Sequence, residues 1–217
     1  MIDSVYVQRD GPWAGLFMGI GYVNIQHPDK KLPKQQAQTW LIPKYYTLLP
    51  KLGFDTVDAW LDIKGAKDDD KYCFYGTRVG MYSTANKKTE GPWKITDKFP
   101  ALGAAQFDII DAAMHVPGSD HEVYFFRGTK YVKVHMGDNR ITSGPANIVD
   151  KWPGLAQAGF DCVDAIWELP GNEGQTIFFR GFKSVRVKVV SREADRIISG
   201  PEPITTTWKG LCPWVTQ

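Results

Sequence analysis

The sequence predicts an all-β fold, a four-bladed β-propeller with a short helix in each repeat, and three observations lead to this prediction. A phrase of the form Phe-Asp-x-x-Asp-Ala recurs at 54–59, 107–112 and 160–165, at intervals of 53 residues. Later parts of each unit recur with it, and much of each unit consists of short β-branched and aromatic runs. Four sheets of about four strands, repeated radially, form a propeller. A stacked solenoid is the competing geometry, but it would need distinct polar end units, and only the first unit is atypical.

The third unit illustrates the elements expected in each blade. A first strand contains Ala112, and a hairpin with Gly128 at its turn joins the second and third strands. A fourth, shorter strand is expected near Ile141. The stretch 148–155, which contains Trp-Pro, is expected to form a short helix that packs its isoleucine and tryptophan inward.

The repeats cover the whole chain as one domain. Their approximate bounds are 1–52, 53–105, 106–158 and 159–217. The first unit is a degraded copy, with Asp3-Ser4 in place of Asp-Ala and without the Gly-Pro that punctuates the other units. We align its residues 49–52 with 99–102 of the second unit, because both have the form aromatic or apolar, Pro, x, Leu.

Composition excludes several classes of partner. Apolar residues make up 43% and charged residues 23%, and the net charge is +2, which is too even to predict attraction to nucleic acid or a membrane surface. No run of 18 apolar residues predicts a transmembrane helix. The opening residues show no basic region and no apolar core, so we expect no signal peptide. Three cysteines without a short metal-binding spacing fit a reducing compartment, and a cytoplasmic location is expected.

The combined pattern resembles the hemopexin-like repeat. Its order is an Asp-Ala strand, an aromatic pair with Gly, Tyr-x-x-x-aliphatic, Gly-Pro, Ile and Trp-Pro. The third and fourth units match it almost fully, the second well and the first weakly. A four-unit chain of this kind without a protease domain resembles the seed albumins of legumes. This resemblance implies ions in a central channel, accumulation in the seed cytosol, and polyamine or heme binding in some members. Secreted relatives usually join first and last blades by a disulfide. The first unit here has no cysteine to pair with Cys212, so we expect non-covalent ring closure.

Four aspartates at equivalent positions are the candidate ion site. They are Asp3, Asp58, Asp111 and Asp164. On the propeller geometry they surround the axis, where four backbone carbonyl groups would form an oxygen cage that suits calcium or sodium. The resemblance implies this carbonyl coordination, and it also leaves chloride as a channel ion. The alternative is a purely structural role, with the carboxylates capping neighbouring strands or turns.

The backbone two residues further along could hold a second ion. These positions are Val5, Trp60, Ala113 and Ile166. Because their side chains are mostly apolar, the lining there would have to be backbone.

Other polar groups have weaker claims to a function. The run Asp68-Asp69-Asp70 could contact a polyamine, but we favour a solvated hairpin tip. The first aspartate of each repeated phrase (Asp55, Asp108 and Asp161) is interpreted as a turn residue. The four histidines could ligate heme, but a surface position is favoured for each of them: His27, His115, His121 and His135.

The cysteines predict no catalysis. Cys73 replaces an aromatic residue of the repeat and is expected to face a core, while Cys162 and Cys212 could pair. No motif for hydrolysis, phosphoryl transfer or hydride transfer is present.

The predicted function is therefore a non-enzymatic seed storage albumin that binds a small ligand. A tunnel ringed by carbonyls and carboxylates favours a thin cation, so a polyamine such as spermine is the first candidate. Heme is the second, at a surface or interface site. A rival hypothesis is a protein–protein interaction module with an exposed apolar patch, and the atypical first blade could be a homodimer contact. An enzyme would need titratable groups clustered off the repeat positions, and only 68–70 and 120–122 show such clusters.

Overall fold

The protein is a ring of four antiparallel sheets. The structure, a computed structural model, describes residues 1–8, 13–26, 40–66, 69–169, 171, 174–191 and 193–207. Each sheet contains four strands paired in chain order, so the predicted all-β, four-bladed propeller is confirmed. In the part of the chain so described, no helix has the length and apolar character needed to cross a membrane.

The blades share one plan, in which the first strand is innermost and the fourth is outermost. Blade 1 contains β1 (Ser4–Val7), β2 (Trp13–Met18), β3 (Gly21–Gln26) and β4 (Trp40–Leu41). Blade 2 contains β5 (Ala59–Asp62), β6 (Asp70–Tyr75), β7 (Arg78–Ser83) and β8 (Lys88–Lys94). Blade 3 contains β9 (Ala112–His115), β10 (Glu122–Arg127), β11 (Lys130–His135) and β12 (Arg140–Asn147). Blade 4 contains β13 (Ala165–Glu168), β14 (Gln175–Arg180), β15 (Lys183–Lys188) and β16 (Arg196–Pro203).

The expectation of a short fourth strand was wrong for three blades. In the third blade β12 has eight residues, against six in β11. The strand continues because the pairing register shifts between Tyr131 and Val134, which accommodates the extra Gly144-Pro145. Gly144 has φ +80°, a conformation that a residue with a side chain rarely adopts.

Short helices follow the outer strands. They are α1 (Ile42–Tyr45), α2 (Ile95–Lys98), α3 (Pro100–Ala104), α4 (Ile148–Lys151), α5 (Pro153–Gln157) and α6 (Ile204–Thr207). The helix expected over 148–155 is therefore two turns that separate at Trp152, whose ψ of 77° is not helical. The proline at the start of α5 has no N–H to donate, which suits the first turn of a new helix. Ile148 and Trp152 are buried, as predicted.

The alignment of the first unit needs a correction of three residues. Tyr46 N donates to Ile42 O at 2.8 Å, as Phe99 N does to Ile95 O. Phe54 N donates to Leu49 O, as Phe107 N does to Leu102 O. Tyr46 and Leu49, rather than Leu49 and Leu52, are thus the equivalents of Phe99 and Leu102. The first unit has an additional 3₁₀ turn, Leu49–Leu52, which begins with Leu-Pro. This pair resembles the Phe-Pro of the second unit and led to the wrong alignment.

Apolar side chains fill the four spaces between neighbouring blades. The cluster between blades 4 and 1 closes the ring, with Trp167 and Phe179 packed against Leu16 and Ile25. Each fully buried large side chain contributes about 1.5–3 kcal/mol. In the described residues ring closure therefore rests on apolar packing, while Cys212 lies outside them.

Candidate functional site: the axial channel

The four inner strands surround the propeller axis. Each of β1, β5, β9 and β13 pairs with one strand of its own sheet, and each contacts the inner strands of the two neighbouring blades. One edge of every inner strand is therefore left facing the axis, with its backbone N–H and C=O groups available.

The hydrogen-bond ladder decides which backbone groups point inward. Ile63 N donates to Asp70 O at 2.9 Å, one step beyond the pair Asp62 and Lys71. Because bonded and non-bonded pairs alternate in an antiparallel ladder, Trp60 points its N–H and C=O away from β6 and toward the axis. An equivalent hydrogen bond lies just beyond each of the other three inner strands, where the backbone N–H of Gln8, Val116 or Leu169 donates to the second strand of its blade. The backbone of Val5, Ala113 and Ile166 thus also faces the axis.

The four equivalent aspartates lie where these strands begin, and their carboxylates cap turns. Asp58 Oδ2 accepts the N–H of Gly76 at 2.7 Å, in the hairpin turn of its own blade. Equivalent bonds join Asp3 to Gly19, Asp111 to Gly128 and Asp164 to Gly181 at 2.5–2.6 Å. In the described part of the chain no hydrogen bond reaches the backbone carbonyl oxygen of any of the four. The carboxylates are therefore engaged in structure, while the carbonyl oxygens are available to a ligand.

These aspartates also interact with one another electrostatically. Burial raises the pKa of the Asp58 carboxyl, and the nearby carboxylates of Asp111 and Asp3 add to the shift. Burial likewise raises the pKa of Asp3 and of Asp111, and in both the charge of Asp164 adds to the shift. Four like charges around one axis favour a cation between them.

The channel is too narrow for a large ligand. Its constriction, lined by Ser4, Ala59, Trp60, Ala112 and Ala165 among others, encloses a cavity of about 10 Å³, room for the centre of about one water-sized sphere. No described group of three or more acidic, histidine or cysteine side chains is arranged to hold a metal ion. The residues present fit a single ion held by backbone oxygens, which is the donor set that calcium and sodium accept.

The opposite mouth of the channel carries charged groups that the sequence analysis missed. The inner strands end at Val7, Asp62, His115 and Glu168, around a cavity of about 270 Å³. The last three are spaced at 53 residues, like the aspartates four positions before them. That spacing was the signal that could have identified them.

His115 is part of this mouth, which corrects its expected surface position. The residue is 8% exposed, its backbone N–H donates to Glu168 Oε1, and its ring Nε2 contacts Asp62 O, both at 3.0 Å. Burial lowers the pKa of His115 to about 4, and burial raises the pKa of Glu168 to about 7.

The acidic run is not a solvated hairpin tip in its described part. Lys71, 1% exposed, forms ion pairs with Asp62 and with Asp69, whose Oδ1 lies 2.9 Å from Nζ. Tyr6 Oη donates to the other oxygen of Asp69 at 2.6 Å. Asp70 begins β6, and Asp68 lies outside the described residues. The carboxylate of Asp69 therefore neutralises the buried Lys71 and is not free to bind a polyamine.

The remaining candidates lie away from the channel. His121 is exposed at the edge of blade 3, where its ring lies 5.3 Å from that of His135, and His27 lies outside the described residues. The buried thiol of Cys73 faces the core, as predicted, and Cys162 is a free thiol at intermediate exposure. The first aspartates of the repeated phrase, Asp55, Asp108 and Asp161, are exposed, and Asp108 pairs with Arg127 and Asp161 with Arg180 at 2.6 Å.

Comparisons with known proteins agree with this geometry. The family profile for hemopexin matches residues 110–157, the third blade. Albumin-2 from Lathyrus sativus is 26% identical over 159 residues, which span 67% of this chain and 66% of that albumin. A plant albumin from Cicer arietinum showing hemagglutination superposes with a TM-score of 0.84 at 21% identity, over 100% of this chain and 99% of that one. The hemopexin fold protein CP4 from cow pea superposes with a TM-score of 0.82 at 21% identity, again over 100% and 99% of the chains. The chain therefore has the hemopexin fold that these legume seed proteins have, and it contains a recognisable hemopexin repeat.

Proposed function

We propose that this protein is a non-enzymatic albumin of the legume seed type that holds a cation in its axial channel and binds a polyamine such as spermine at the channel mouth. The observation that supports the proposal is the ring of four aspartates at the starts of the inner strands, whose backbone carbonyl oxygens accept no hydrogen bond in the described part of the chain. A plant lectin from Cicer arietinum described as having two metal binding sites shares this fold, with a TM-score of 0.82 at 22% identity. Calcium or sodium suits a ring of aspartate carbonyl oxygens. The backbone N–H groups of Val5, Trp60, Ala113 and Ile166, which face the axis, suit chloride.

The polyamine site rests on the charges at the wide mouth. Its walls carry the carboxylates of Asp62 and Glu168, with the carbonyl oxygens of the inner-strand ends between them. Of the two lysines there, Lys71 is already paired with two aspartates, and Lys64 is exposed and can turn to solvent. A thin chain of ammonium groups can enter such an opening, whereas heme cannot pass the constriction.

Substitution of one aspartate tests the ion site. Asp111→Asn keeps an oxygen that can accept the Gly128 N–H and removes one of four axial charges. We expect calcium affinity, measured by calorimetry after chelator treatment, to fall about fivefold, since one nearby charge contributes about 1 kcal/mol. Asp108→Asn, three residues earlier and on the surface, is the matched control. Unchanged calcium affinity in Asp111→Asn, or no calcium binding at all, would contradict calcium as the axial cation.

The polyamine site has its own test. Glu168→Gln retains an oxygen for the His115 backbone N–H and removes one of the two carboxylates at the mouth. Spermine affinity is expected to fall about fivefold at pH 8 in this variant and to stay unchanged in Asp138→Asn, an exposed acid on blade 3. Equal spermine affinity in both variants would remove the mouth as the binding site.

Heme is a second candidate ligand, supported by the adjacent His121 and His135 rings. His121 is exposed, which leaves it available to iron from the surface. Hemin titration should then give a Soret shift that His121→Ala abolishes and His135→Ala weakens. A shift that neither substitution affects would exclude this pair of histidines.

A homodimer through blade 1 is supported by a change of residue type around α1. Ile20, Leu41 and Tyr45 are exposed, and their equivalents in blade 2 are polar. Those equivalents are Thr77, Lys94 and Lys98. Sedimentation should show a dimer that becomes a monomer when Leu41→Lys and Tyr45→Lys restore the blade 2 residues. A monomeric parent protein at high concentration would exclude this interface.

The location of the protein is part of the same proposal. The free thiols of Cys73 and Cys162 support a reducing compartment such as the seed cytosol.

A further inference from the structure

An aromatic pocket opens between blades 1 and 2, and none of the described residues that line it also lines the channel mouth. It has a volume of about 460 Å³. Aromatic side chains form about half of its lining, and the amide of Asn24 and the carboxylate of Asp69 supply polar groups. The aromatic residues are Tyr6, Trp13, Tyr22, Tyr45, Tyr46 and Tyr82.

The pocket exists because blade 1 has a glycine where two other blades have a tyrosine. Strand pairing places Gly15 of β2 at the position of Tyr72 in β6 and Tyr124 in β10. Tyr72 packs edge-to-face on Phe99 at 5.2 Å, and Tyr124 packs in the same way on Trp152 at 4.9 Å. These tyrosines fill the spaces between blades 2 and 3 and between blades 3 and 4.

Blade 1 lacks the tyrosine at position 15, but it keeps the aromatic residue on which that tyrosine would pack. Tyr46 is the equivalent of Phe99 and Trp152, and a Cβ added to Gly15 would lie 3.2 Å from its Oη and 3.4 Å from Asn24 Oδ1. Tyr46 already makes edge contacts with Tyr6 at 5.6 Å and with Tyr22 at 5.1 Å. The aromatic rings that would surround a tyrosine at position 15 are therefore in place, whereas the chain has no side chain there.

We propose that this pocket binds a small neutral molecule with a phenol-type ring, which occupies the space that a tyrosine side chain fills in blades 2 and 3. The inference goes beyond the ion and polyamine sites and does not depend on them. Aromatic rings favour the edge-to-face contacts that this wall offers. A concave, mainly aromatic surface with a few polar groups is also the usual character of a small-molecule site.

The charges around the pocket select a neutral ligand over an ammonium ion. Asp69 is the one charged side chain in its described lining, and it is compensated by Lys71 at 2.9 Å and by the hydroxyl of Tyr6 at 2.6 Å. Burial raises the pKa of Tyr22 and of Tyr82 to about 12, so the wall presents protonated phenols. Asn24 and Tyr46 can accept from or donate to the hydroxyl of a ligand.

The probe for this proposal is p-cresol, which is the tyrosine side chain as a free molecule. We expect saturable binding of one p-cresol per chain in the millimolar range or tighter, followed by ligand-observed NMR and calorimetry. Gly15→Tyr should fill the space and weaken binding more than tenfold. Because its Cβ would approach the Tyr46 hydroxyl, Gly15→Tyr combined with Tyr46→Phe is the second variant, and it should also lose binding.

A positive control comes from the repeat itself. Tyr124→Gly opens the equivalent space between blades 3 and 4, and it should add a second p-cresol site. Absence of saturable p-cresol binding, or binding that persists in a folded Gly15→Tyr variant, would overturn the proposal. Tyramine carries the same ring with an ammonium group, and tenfold tighter binding of tyramine than of p-cresol would overturn the neutral ligand class.

Discussion

The buried ion pairs of Lys71 allow a stability prediction whose size follows from the structure. Lys71 is 1% exposed, while the carboxylates that it faces are 36% exposed in Asp62 and 18% exposed in Asp69. Its ammonium also lies 4.8 Å from the centre of the Tyr6 ring. Lys71→Met keeps most of the apolar stem and removes the charge, so two carboxylates lose their counterion.

The expected loss is about 3 kcal/mol. Removing one partner of a buried ion pair costs about 3–5 kcal/mol, and the lower end applies because water reaches about a third of Asp62. The lost cation–π contact, about 0.5–1 kcal/mol, is within this figure. For a domain of this size the melting temperature should fall by about 6–12 °C.

Urea unfolding measures this loss, with the m-value checked for constancy. Lys88→Met is the control, because Lys88 pairs with Glu90 where both side chains are about half exposed, and its expected loss is below about 0.5 kcal/mol. Adding Asp69→Asn to Lys71→Met should restore part of the stability, since it removes an unpaired buried charge. A loss below about 1 kcal/mol in Lys71→Met would refute the reasoning.

Three further predictions concern packing, backbone conformation and thiol chemistry. Gly80→Val should cost about 1–3 kcal/mol in urea unfolding, because even a Cβ there collides with the Leu52 side chain. The cost of Gly80→Val should be smaller when it is measured against Leu52→Ala, and an equal cost in both backgrounds would contradict this packing. Gly144→Ala should cost more than about 2 kcal/mol in melting curves, since φ is +80° and the added Cβ lies 2.8 Å from Tyr131 O; a neutral effect would show that this backbone relaxes. Burial raises the pKa of Cys73 to about 12, so a thiol reagent should label Cys162 in the native protein and Cys73 only after unfolding; rapid native labelling of Cys73 would show that its core opens.

The sequence by itself determined the architecture. The 53-residue spacing and the recurring aromatic, Gly-Pro and Ile positions predicted four blades, because each repeat must bury the same apolar face against its neighbour. It also predicted the position of Cys73 in a core, since that residue replaces a repeat aromatic. The equivalence of Asp3, Asp58, Asp111 and Asp164 followed from the same register.

Two predictions from local sequence patterns were wrong, because hydrogen bonding in the folded chain determined the structure at those positions. The Leu-Pro at 49–50 resembles the Phe-Pro of the second unit, so the sequence aligned Leu49 with Phe99. The hydrogen bonds of Tyr46 and Phe54 show that Tyr46 is the equivalent of Phe99. The fourth strands of blades 2, 3 and 4 are longer than expected because a shift in pairing register accommodates the Gly-Pro, which strand propensity does not anticipate.

Tertiary structure alone decided the environment of the charged and aromatic groups. Lys71 and His115 read as ordinary polar residues in the sequence, yet ring closure buries both at a mouth where Asp62 and Glu168 also converge. Gly15 is one glycine among 21 in the sequence. Only the strand pairing shows that it stands at the position of Tyr72 and Tyr124 and leaves a pocket between blades 1 and 2. Periodicity records which face of each strand is buried, whereas the partners across a blade interface depend on how the four sheets close into a ring.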